Sequence, residues 1–132
     1  MANWYGHARS NYVKIKDIFG LLDAIEPFAL GIYQGDNGDV GFITNDEYGG
    51  WPSLTELENG EELWFDPGVH IVPFLVDGEV LIMMQVGSEK LRYLSGSASA
   101  YHSDGRVIDV TIDQIYEKVR TEFNKTPSLC EY

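Results

Sequence analysis

The chain has 132 residues, 44% hydrophobic and 13% aromatic, with a single cysteine and a formal charge of −12. Such a length and apolar content suit one globular domain with its own core, and they exclude a disordered chain, an internal disulfide framework and a cysteine-based zinc site. The acid excess argues against direct binding of DNA, RNA or anionic lipid, and with no apolar run of membrane-spanning length and no signal region the expectation is a soluble, cytoplasmic protein.

Taken in chain order, Tyr12, Lys14 and Lys16 alternate with Val13 and Ile15, which predicts a strand over Asn11 to Lys16. Asp17 is placed to cap a helix carrying Ile18, Leu21, Leu22 and Ile25 on one face, and Pro27 ends it. Two strands follow, Leu30 to Gln34 and Val40 to Thr44, joined through Asp36-Asn37-Gly38-Asp39; Asn-Gly readily supplies the positive φ angles of a tight hairpin turn. Asn45 to Gly60 reads as a long loop punctuated by Gly49-Gly50-Trp51-Pro52, and Glu62 to Phe65 as a short strand. Asp66-Pro67 is a cap followed by proline at the first helical position, opening a short helix through Val72.

Val80 to Val86 is a continuous apolar run, expected as a buried strand. Leu91 to Tyr101 and Arg106 to Val110 are two further strands, separated by a Ser103-Asp104-Gly105 turn. The last helix begins at a capping box, Thr111 with Gln114, and a hydrophobic staple, Val110 with Ile115; Ile112, Ile115, Tyr116, Val119 and Phe123 make its apolar stripe. Short turns favour antiparallel neighbours. The expected fold is therefore α+β: a five- or six-stranded, mostly antiparallel sheet with two to three helices packed on one face, one domain over 1–132, its tail frayed from about residue 124.

The charge is segregated. No Lys or Arg occurs from Asp17 to Glu89, a stretch holding 15 of the 21 acids. Fifteen carboxylates without an internal cation repel one another, a cost most simply offset by positive charge supplied from outside. The competing reading, of equal weight, is a solvated face that serves solubility.

Candidate chemistry is sparse. Asp36 to Glu47 has the acid, glycine and glutamate of a calcium loop at positions 1, 6 and 12, but Gly38 and Val40 leave two ligand positions without side-chain oxygens and the flanks read as strands, so the motif is rejected. His7, His70 and His102 show no metal-ligand spacing, and surface or core roles are expected of each. Glu61 or Glu62 near Trp64 has the elements of an acid–base pair, yet such pairs are unavoidable in so acidic a segment. Ser95 to Ala100 lacks the lysine and spacing of a phosphate loop and is not a nucleophile elbow; its small side chains suit close packing of a helix on the sheet. Cys130 has no paired base. Trp51, beside Gly49-Gly50 and Pro52, reads equally as an interface anchor or as a loop tryptophan folded back over the core. Glu56 and Glu58, if extended, project on one side about 7 Å apart. No catalytic residue, metal or cofactor is expected.

The segments Met1 to Tyr12 (Met-Ala-Asn-Trp-Tyr-Gly-His-Ala-Arg-Ser-Asn-Tyr), Asn45 to Ser53 (Asn-Asp-Glu-Tyr-Gly-Gly-Trp-Pro-Ser) and Gly87 to Tyr93 (Gly-Ser-Glu-Lys-Leu-Arg-Tyr) resemble small acidic proteins carried by phages and plasmids, which accompany anti-restriction and anti-CRISPR functions. The resemblance covers about a quarter of the chain, contains no motif of known chemistry and implies no binding residue. It implies a host-defence inhibitor acting in a bacterial cell. With the charge pattern, the expectation is a non-enzymatic inhibitor that occludes a basic nucleic-acid-binding surface through Asp36, Asp39, Asp46, Glu47, Trp51, Glu56, Glu58, Glu61 and Glu62. An immunity protein against a nuclease toxin would use the same electrostatics, and a small-ligand or accessory protein would show a concave pocket near Ser95 to Ala100 instead.

Overall fold

The computed structural model describes residues 4–45, 49–89 and 93–130. Its elements are β1 (Trp4–Ser10), α1 (Ile18–Ile25), β2 (Leu30–Gln34), β3 (Val40–Thr44), β4 (Leu54–Glu56), β5 (Glu62–Trp64), α2 (Pro67–His70), β6 (Val80–Glu89), β7 (Tyr93–His102), β8 (Val107–Thr111) and α3 (Gln114–Phe123). Six strands form an antiparallel sheet in the order β2-β3-β1-β6-β7-β8, and β4 pairs with β5 in a separate two-stranded sheet. The chain is an α+β fold, as its pattern predicts.

The strand expected over Asn11 to Lys16 is displaced upstream. β1 is Trp4–Ser10, and 11–16 makes only isolated bridges, Val13 with Val40 and Ile15 with Leu75. Asn11 is the reason the strand stops. Its backbone N–H still donates to Ile82 O at 3.2 Å, and its side chain makes the remaining contacts with β6, Nδ2 donating to Val80 O at 2.9 Å and Oδ1 accepting from Ile82 N at 2.8 Å. The main chain is then free to turn across Val40.

The β2–β3 connection follows the sequence closely. Asn37 and Gly38 both adopt positive φ, 64° and 81°. Asp17 caps α1, its Oδ1 accepting from Gly20 N at 3.1 Å. Asp66 caps α2 in the same way with Pro67 at the first helical position; the α-helix ends at His70, and a 3-10 turn over Val72–Phe74 completes the segment. Gln114 accepts from Thr111 N at 3.2 Å, the reverse half of the expected capping box, while α3 itself starts at Gln114.

One face of the sheet is covered. Val40, Phe42, Leu81 and Met83 meet Leu21 and Ile25 of α1 and Ile71, Val72 and Leu75 of the α2 segment. Burial of one such side chain stabilises the fold by roughly 1.5–3 kcal/mol. Ser10 is the buried polar residue of this layer, and its Oγ accepts from Phe42 N at 2.7 Å.

Two further expectations are corrected. Val80 to Val86 is not buried on both sides: Leu81 and Met83 face the core, while Met84 and Val86 on the other side are 54% and 57% exposed. No residue of α3 is buried, so its stripe does not close the core. Over the described residues 124–130, where fraying is expected, there is neither helix nor strand, and Cys130 N donates to Tyr116 Oη at 2.8 Å.

Candidate protein-binding surface

The segment expected as a loop over 45–60 contains β4, and with β5 it forms an acidic hairpin. The register is Leu54↔Trp64, Thr55↔Leu63, Glu56↔Glu62. Leu57 N donates to Glu61 O at 2.7 Å and Gly60 N to Leu57 O at 2.9 Å, closing the turn with Gly60 at φ +84°. Asn59 Oδ1 accepts from Glu61 N at 3.0 Å. Because side chains alternate along a strand, Leu54, Glu56, Glu62 and Trp64 share one face and Thr55 and Leu63 the other. The first four are exposed, Trp64 by 63%; Thr55 and Leu63 are half-buried.

Glu56 and Glu62 thus stand directly opposite one another, the arrangement in which like charges destabilise a strand pair. Glu58, expected beside Glu56 on an extended strand, lies in the turn instead, and Glu61 beside it. Among the described residues no Lys, Arg or His nitrogen lies within ion-pair distance of any carboxylate in 36–66.

The hairpin is seated on aromatic packing. Phe65 N donates to Ser53 O at 2.7 Å, and the Phe65 ring lies 5.0 Å from Phe28 and 5.7 Å from His70, stacked on the latter. His70 Nδ1 accepts from Asp66 N at 3.0 Å, so this histidine organises the hairpin's exit. Trp51 folds back on the core, the second of its two readings, and Gln85 Oε1 holds its backbone N–H at 3.1 Å. The exposed aromatic on the acidic face is Trp64. Its period-2 spacing from Glu62 carried that signal, but the strand pairing that places Leu54 and Glu56 on the same face was hidden in an apparent loop.

Asp36 and Asp39 do not join this surface. Asp36 and Asp39 flank the β2–β3 turn, whereas the chain leaves for the hairpin from Thr44 at the other end of β3. Five strand residues separate these ends by about 15 Å. Asp46 and Glu47 lie outside the described residues.

Elsewhere, Tyr101 has its phenol pushed above the ordinary range, chiefly by burial, and Asp104 is held below the usual carboxylate range, chiefly by the Arg106 backbone N–H. Neither belongs to the hairpin. A cleft of about 820 Å³ runs between the sheet end and α3, past Gly96, Ile112, Ile115 and Leu129; Asp113 is the sole carboxylate among its described lining residues, and His102 is not one of them. Among the described residues no group of three or more His, Cys, Asp or Glu is arranged to hold a metal, and no helix is long and apolar enough to cross a membrane. No protein-family model, curated protein or solved structure matches the chain.

Proposed function

We propose that this chain is a non-enzymatic inhibitor of the bacterial cytoplasm, and that its β4–β5 hairpin docks on the basic nucleic-acid-binding surface of a defence nuclease or CRISPR-type complex and blocks it. One observation carries the reading: an exposed tryptophan, Trp64, shares a hairpin face with the unpaired, mutually opposed Glu56 and Glu62, with Glu58 and Glu61 at the tip. Four carboxylates without a cation of their own match a surface evolved to hold phosphates. Bringing Lys or Arg between Glu56 and Glu62 relieves their repulsion, so the partner gains on contact what the free hairpin lacks. Trp64 supplies the desolvated anchor that slows release, and Leu54 widens the apolar part of the contact.

The test begins with the tagged chain used to capture partners from bacterial host lysate, eluted by stepped salt. The captured protein is then assayed for nucleic-acid binding with and without added chain. The expected result is competitive loss of nucleic-acid binding, affinity that falls steeply with salt, and a flattened salt dependence when Glu56, Glu58, Glu61 and Glu62 are changed together to Gln. Trp64→Ala is expected to raise the dissociation rate about tenfold with little change in association rate. A captured protein that keeps its nucleic acid in the presence of saturating chain, or an affinity indifferent to salt, overturns the proposal.

A further inference from the structure

Among the described residues, nothing covers most of the sheet face away from the core. Cross-strand register puts Met84, Ala98 and Val110 in one row, Ile82, Ala100 and Ile108 in the next, and Val86 beside Gly96 in a third, with Ile112 reaching over Gly96. Small residues of β7 therefore form a trough between two apolar ridges, one on β6 and one on β8. The small side chains of Gly96, Ala98 and Ala100, expected to admit a helix, receive none. Met84, Val86, Leu94, Ile108, Val110 and Ile112 are between 54% and 73% exposed. At about 100 Å² each they expose on the order of 600 Å² of apolar surface, at the upper end of what a monomer carries as its largest patch. With Ile82, Ala98 and Ala100 the face approaches the roughly 800 Å² that each partner contributes to a standard specific interface.

We infer that this face, together with the adjoining apolar side of α3, is the contact surface of a symmetric dimer of this chain. Three features select a second copy as the occupant. The area is what a stable dimer needs. The relief carries both ridges and a trough on one patch, so a two-fold axis can seat a ridge of each copy in the trough of the other; an isologous contact requires that self-complementarity. The charge also permits it: residues 90–132 hold six basic and six acidic groups, against 15 acids and no Lys or Arg in 17–89. The β7 trough, the β8 ridge and α3 come from this balanced region, and the β6 ridge adds only the uncharged Ile82, Met84 and Val86, so two copies can meet here without opposing their acidic hairpins. The nearest charged neighbour on this face is Arg9 of β1, opposite Met84, at the rim of the apolar patch. The inference uses none of the hairpin residues and stands apart from the proposed inhibitory role.

Sedimentation equilibrium of the full chain tests it, run on wild type, Met84→Lys/Val110→Lys and, as a control on the helical layer, Phe19→Lys, a site 78% exposed on α1. Expected are a mass twice the 14.9 kDa of one chain for wild type and for Phe19→Lys, and dissociation at least about 100-fold weaker for the double variant with an unchanged circular dichroism spectrum. A wild type that stays at the chain mass up to about 100 μM, far above the dissociation constants of specific dimers, overturns the inference. So does a dimer untouched by the double substitution, or one that Phe19→Lys breaks equally.

Discussion

Ser10 shows how one polar side chain holds this core together. β1 turns small residues, Gly6, Ala8 and Ser10, toward the same side of the sheet, and at its end the Ser10 hydroxyl accepts the Phe42 N–H from the neighbouring strand. Phe42 is itself 1% exposed, so that N–H has no water to turn to. Ser10→Ala is expected to lower stability by about 2 kcal/mol, the cost of a buried donor left unmet. Urea unfolding with an unchanged slope measures it; a loss within error of zero shows that Phe42 N finds another acceptor. The same residues explain why β1 escaped a reading of hydrophobic alternation: Gly6, Ala8 and Ser10 include no large apolar group, so the alternation further on, at Val13 and Ile15, was the stronger signal. Asn11, which ends the strand through its side chain, gives no sign in sequence of the two β6 groups it will meet 69 and 71 residues later.

At the scale of elements, local chemistry was legible and pairing was not. Asn37-Gly38 and Asp66-Pro67 announce their turn and cap because the conformational preference lies within the residues themselves. β4 and β5 are three residues each, too short to reveal that they pair, and only their mutual register brings Glu56 opposite Glu62 and onto the face that Trp64 shares with Glu62. For the same reason the acidic segment could be seen as a segment but not divided: Asp36 and Asp39 went with one end of the β2–β3 hairpin and the four glutamates with the other. The opposed glutamates make the hairpin a testable unit. Glu62→Lys converts a like-charge pair into an opposite-charge pair and is expected to stabilise the hairpin by about 0.5 kcal/mol, read as slower amide exchange at Leu57 and Phe65, while weakening binding to a basic partner. Unchanged exchange at both amides shows that solvent already screens the Glu56–Glu62 repulsion.

Across the whole molecule the governing asymmetry is electrical. The acids of 17–89 face no Lys or Arg from their own stretch, so the compact state gathers repulsion that salt relieves. Stability of the Met84→Lys/Val110→Lys chain, chosen so that self-association does not enter, is expected to rise between about 0.01 and 0.5 M NaCl, seen as a higher urea midpoint. A flat or falling midpoint means that the carboxylates lie too far apart to feel one another. Fold class was readable at this scale because turn spacing and strand count survive errors in individual boundaries. The bare sheet face was not, since an apolar run such as Val80 to Val86 has the same letters whether both of its sides are covered or one.

The position of β1 also fixes an order of events in the making of the protein. This strand leaves the ribosome before the other strands of its sheet, yet it sits between β3 and β6, with Gly6 opposite Gly87 and Trp4 opposite Glu89. It can zip to β6 only after some 80 further residues have been translated, while β2 with β3 and β6 with β7 close as local hairpins. The middle of the sheet is therefore closed by its longest-range pairing, and a nascent chain halted before β6 carries an open β1 edge that β6 covers in the finished sheet.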